Sequence, residues 1–161
     1  MTGVQTCALP ILVMEFSNSD VELLVKLLGA VVLGGSIGFE RELHGKVAGF
    51  RTHSLVALGS ALMMLVSIHI FELYRGITDV DPSRIAAQVV TGIGFLGAGT
   101  ILRSGAGIKG LTTAAGLWTA SGIGLACGLG YFRAAVIATF VTLFVLIVFS
   151  WIGRQLGARD V

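Results

Sequence analysis

The chain has 161 residues, 55% of them hydrophobic and 12% charged, with a net charge of +2 and a mean hydropathy of +0.91. Soluble domains carry roughly 25% charged residues, so this chain lacks the charge to solvate a water-facing surface, and its solvent is mostly lipid. Its lysines and arginines are scattered rather than gathered in a block, which argues against a nucleic-acid partner. The 23 glycines against 2 prolines suit packed membrane helices rather than a disordered chain.

In chain order, residues 1–11 (MTGVQTCALPI) resemble a translated sequencing adapter and are set apart as a non-native leader. Residues 12–20 form an N-terminal flank, residues 21–152 the transmembrane domain, and residues 153–161 a cytoplasmic tail. The first apolar stretch runs from about Val21 to Phe39, with Ser19 or Asp20 as its N-cap. The second covers Ser54 to Phe71 and the third Ile85 to Leu102. The fourth covers Leu111 to Leu129 and the fifth Ala134 to Ile152. Each is close to the ~20 residues that cross ~30 Å of hydrocarbon as a helix. Period-two alternation is missing, so the expected fold class is an all-α integral membrane protein, a bundle of about five transmembrane helices.

The loops carry the charge. Arg41, Lys46, Arg51, Arg103, Lys109, Arg154 and Arg159 fall on one side, and outnumber Lys26, Arg75, Arg84 and Arg133 on the other. The positive-inside bias then places the N-terminus outside and the C-terminus in the cytoplasm. Lys26, inside the first span, is expected to snorkel towards the outer interface. The outer acids Glu72, Asp79 and Asp81 read as a solvated loop.

Small residues recur at spacings of four. Gly34 and Gly38 follow Ala30 on one face of the first span, and Gly116, Ala120, Gly124 and Gly128 line the fourth. Such stripes let another helix backbone come close. A faint repeat pairs IGFERE and GFRTHSLVALG with IGFLGAGTILR and GLTTAAGLWTASG, setting Arg41 against Arg103 and Thr52 against Thr113. A parallel two-helix repeat explains the pairing. Chance similarity between glycine-rich helices explains it equally well, and both readings stand.

The candidate functional cluster lies at the cytoplasmic ends: Glu40, Arg41, Gly49, Arg51, Thr52, Gly94, Gly97, Arg103, Thr112 and Thr113. Glu40 and Arg51 flank one loop and can pair, since a charge near hydrocarbon is costly alone. The same residues can instead build a polar site, with Thr112 and Thr113 at a helix N-terminus that favours an anion. A basic, amide-rich mouth suits phosphate or an acidic partner better than Mg²⁺, which wants carboxylates and water. Gly92 to Gly97 spells a dinucleotide fingerprint, but inside an apolar span it reads better as a glycine-weakened or broken helix. His53 and His69 lie near opposite ends of the second span and are expected at the interfaces, unable to share one metal. Cys127 reads as a small packing residue. With no nucleophile–base pair, the sequence predicts neither an enzyme nor a bound cofactor.

The strings IGFERE, AGFRTHSLVALG, RIAAQVVTGIGFLGAGTIL and GLTTAAGLWTASGIG, in this order and spacing, resemble the signature blocks of the MgtC/SapB membrane family. The resemblance covers about Leu23 to Ala138. It implies a bacterial inner-membrane protein linked to growth under magnesium limitation and to virulence. It also implies regulation through other membrane complexes, the F-type ATP synthase among them. A small Mg²⁺ or phosphate transporter is the alternative. The bilayer and a membrane-protein partner are the expected companions, and a homo-oligomer is compatible. Several family members continue into a soluble domain, so the chain is expected to be a short member or a fragment.

Overall fold

The computed structural model describes residues 18–104 and 107–155. The proposed leader and most of the proposed tail lie outside the described residues. The elements run α1 (Asn18–Leu43), α2 (Phe50–Tyr74), α3 (Ser83–Thr100), β1 (Leu102–Ser104), β2 (Gly107–Lys109), α4 (Leu111–Leu129) and α5 (Phe132–Gln155). Five helices thus appear in the order expected, and α4 has the bounds that hydropathy marks. Three segments, Ser19–Leu43, Phe50–Tyr74 and Phe132–Gly153, are long and apolar enough to cross a membrane. The other two helices, α3 and α4, have 18 and 19 residues, a rise of about 27–29 Å at 1.5 Å per residue. In α4 the apolar residues are diluted by Gly, Ala, Ser and Thr, because this helix touches all four others and needs thin walls more than greasy ones.

The helices overrun the apolar stretches. α1 continues through Glu40, Arg41 and Glu42, and α2 starts at Phe50 rather than Ser54. A helix satisfies its own backbone groups, so it persists into polar sequence where hydropathy falls. The connection between them is therefore tight. Glu42 Oε2 accepts from the Phe50 amide at 2.8 Å, capping α2 from the end of α1. At the other end, Lys26 pairs with Glu22 at 2.6 Å one turn earlier. On the α2–α3 loop the Ser83 hydroxyl and the Ser83 amide, which donates to Asp81 Oδ1 at 2.8 Å, hold the Asp81 carboxyl below the usual range.

α2 is clamped between α1 and α4. Gly34 packs on Ala57 and the His53 carbonyl, and Gly38 on the Gly49 carbonyl and Phe50 Cα. From the opposite side Gly124 abuts the Ala57 backbone and Gly128 the Ala61 backbone and Met64. Ala120, one turn before Gly124, is fully buried. The stripes therefore meet α2 within one chain. Around this seam lies a core of Ala30, Ile37, Ala57, Ala61, Ile123 and Cys127.

Two features depart from the sequence expectations. α3 runs unbroken through Gly92, Gly94, Gly97 and Gly99, and the helix ends only at Ile101. Glycine costs a helix only about 1 kcal/mol per residue, which the hydrogen-bonded ladder tolerates in lipid. The loop after α3 is a small antiparallel hairpin pairing Leu102 with Lys109 and Arg103 with Ile108. It closes onto α4 through Gly110, whose φ of +92° and contact with the Thr100 carbonyl leave no room for a side chain.

Candidate functional site

One end of the bundle holds a buried polar cluster. The last turn of α1 delivers Glu40 and Arg41, 7% and 4% exposed, and the first turn of α2 delivers His53, 0% exposed. Ser54 and Thr113, from the first turns of α2 and α4, are buried beside them. The glycines explain how an imidazole fits at a helix crossing. Gly38 leaves room for His53 Cβ, and a methyl group on Gly116 would sit 3.2 Å from His53 Nε2.

Hydrogen bonding fixes the ring. His53 Nδ1 lies 3.0 Å from the Gly49 carbonyl, which can only accept, so Nδ1 carries the proton and the neutral ring's lone pair is on Nε2. Glu40 Oε1 is 3.0 Å from His44 Nδ1, while its Oε2 is 3.8 Å from an Arg41 terminal nitrogen, too far for a hydrogen bond. Glu40 Oε2, Arg41 Nε, His53 Nε2 and Ser54 Oγ are all buried without a hydrogen-bond partner among the described residues. An unpaired buried group costs about 1–3 kcal/mol, more when charged. Such groups gathered at one place mark a site rather than a packing accident.

The structure divides the sequence-derived cluster between two clefts. Arg41, Thr112 and Thr113 line one of about 550 Å³, together with Lys46 and Lys109. Arg51 and Thr52 line another of about 520 Å³ between α2 and α3, beside Gly92 and Ile93. The expected pairing of Glu40 with Arg51 is not made. Glu40 turns inward to His44 and Arg41, whereas Arg51 is exposed on the first turn of α2. Gly49 packs on the capping Glu42, and Gly97 is buried against Ala114. Gly94 has open space around it, and Arg103 is exposed on β1. Positions paired by the repeat differ in setting: Arg41 and Thr113 are buried, Arg103 and Thr52 exposed.

His53 is the residue whose burial sequence reasoning did not foresee. It stands in the first turn of α2, near one end of its span, and is fully enclosed at the centre of the cluster. Its signal was the glycine facing it from each neighbouring helix, Gly38 and Gly116. Among the described residues no three His, Cys, Asp or Glu side chains converge as metal ligands would.

A helical integral membrane protein with a charged cluster buried at one end is the class that this fold and site define. The chain belongs to the MgtC family, whose model matches residues 27–155. YhiD of Escherichia coli (strain K12), provisionally named a magnesium transporter, is 48% identical over 141 residues, covering 86% of this chain and 66% of that protein. The protein MgtC of Salmonella typhimurium (strain LT2) is 49% identical over 121 residues, 74% of this chain and 49% of the relative. The protein MgtC of Brucella abortus (strain 2308) is 46% identical over 113 residues, 70% of this chain and 45% of the relative. The chain thus spans between about half and two thirds of the length of these relatives. No solved structure matches it.

Proposed function

We propose that this chain acts as an MgtC-type regulator in the bacterial inner membrane, serving growth under magnesium limitation and virulence. In this reading it works by contact with other membrane complexes, such as the F-type ATP synthase. The observation that carries the reading is the closure of the α2–α4 seam. Gly124 on Ala57 and Gly128 on Ala61 bring two backbones into contact, so α2 and α4 pack directly on one another beyond the polar cluster, whose residues stand at one end of the bundle. A transport site sits near the midplane between elements that can part.

The stripe glycines are used inside the bundle, which leaves α3 as the helix offered to a partner. Its Phe95 and Leu96 are exposed, and Gly92, Gly94 and Gly99 have open space beside them. Gly99→Leu, three and four residues from Leu96 and Phe95, adds bulk to that face at a position where a Cβ meets no neighbour. The expected result is a stable, monodisperse variant that no longer co-purifies the ATP synthase from membranes and no longer supports growth at low magnesium. Unchanged capture and growth would remove α3 as the contact face.

Transport is the second reading, favoured by the name of the Escherichia coli relative. Purified protein in liposomes is expected to show no Mg²⁺ or phosphate flux under an imposed gradient. Flux above protein-free vesicles would reverse the order of the two readings.

A further inference from the structure

The cleft beside the cluster has its own chemistry. The N-cap of α4 is Gly110, which has no side chain to cap the helix, and the first turn of α4 contains no acidic residue. The first intrahelical bond runs from the Ala114 amide to the Gly110 carbonyl at 2.9 Å. The preceding amides of α4 therefore have no helical carbonyl to bond, and they carry the positive end of the helix dipole. Arg41, Lys46 and Lys109 line the same cleft. Arg41 is 4% exposed, and its Nε is buried without a hydrogen-bond partner. Glu40 stands 3.8 Å behind the guanidinium and offsets part of its charge, while Lys46, Lys109 and the helix end have no carboxylate paired with them among the described residues.

The opposite wall is apolar. Val145 and Phe149 near the C-terminal end of α5 complete the cleft, and both are exposed where they face outward. An oxyanion held by cations and amides on one side, with hydrocarbon running along the other, satisfies both walls at once.

We propose that this cleft binds a phosphate group. An anionic phospholipid fits both walls, its phosphate at the α4 N-terminus and an acyl chain along Val145 and Phe149; free phosphate would use the polar wall alone. The proposal holds whether the protein regulates or transports.

The test compares the purified wild-type protein with two double variants, all verified as monodisperse in detergent. Lys46→Gln/Lys109→Gln removes two charges from the cleft and leaves the buried Arg41 in place. Arg75→Gln/Arg133→Gln removes two charges at the other end. Native mass spectrometry reads retention of phosphatidylglycerol against phosphatidylcholine, and calorimetry reads binding of inorganic phosphate. Wild type is expected to retain phosphatidylglycerol preferentially. The cleft variant should lose about tenfold or more in affinity, the scale of losing charge-assisted hydrogen bonds, and the distal variant should match wild type. Phosphate binding with the same variant pattern would support the site with a soluble ligand. Equal retention of the two lipids without phosphate binding, or equal losses in both double variants, overturns the proposal.

Discussion

Glu40 and Arg41 are sequence neighbours that point about 100° apart on α1, yet both are buried. This explains their geometry. Adjacent helical residues do not face each other, so the carboxylate and guanidinium approach only to 3.8 Å, while Glu40 reaches His44 one turn on at 3.0 Å. Burial of both requires partners on two sides, supplied by α2 and by the start of α4. Removing one charge leaves the other uncompensated, a loss of about 3–5 kcal/mol for buried pairs. Glu40→Gln and Arg41→Met should each destabilise the protein on that scale in a detergent denaturation series. The double variant should cost less than their sum, because the stranded charge is then gone. Additive losses would mean that the two side chains act independently.

At the scale of the elements, the glycines fall into two kinds that the sequence alone cannot separate. Gly34, Gly124 and Gly128 are pressed against α2, whereas Gly59, Gly92 and Gly94 have open space around them. Gly124→Ala would drive a methyl group into the Ala57 backbone, so a loss of about 1–3 kcal/mol is expected from overpacking. Gly94→Ala should be neutral or gain up to about 1 kcal/mol from helix propensity. Thermal unfolding in detergent, followed by loss of the monodisperse species, checks the pair, and equal shifts would contradict the packing described. The stripe of four was readable in sequence because spacing alone defines a helical face. Which helix it meets was not, since close approach depends on a second surface far along the chain.

For the whole molecule, connectivity gathers the α1 end, the α2 start, the α4 start and the α5 end around the polar cluster. We propose, on the positive-inside bias, that this end faces the cytoplasm. With Cys7 and Cys127 replaced, Thr78→Cys should react with an impermeant maleimide in intact cells, and Lys109→Cys only after permeabilisation. The reverse pattern would invert the orientation, and with it the compartment from which the phosphate-binding cleft is filled.

The sequence by itself determined the solvent, the helical class, the order of the elements and the stretches where charge collects. These follow from sums over neighbouring residues: hydropathy along a window, spacing along a helix. Tertiary structure alone decided which charges turn inward. Arg41 and His53 are buried while Arg51 and Arg103 are exposed, although all four stand near the ends of apolar stretches. The difference lies in what faces each one. His53 is buried because glycines on two other helices make room for its ring, and that space exists only once the helices have packed.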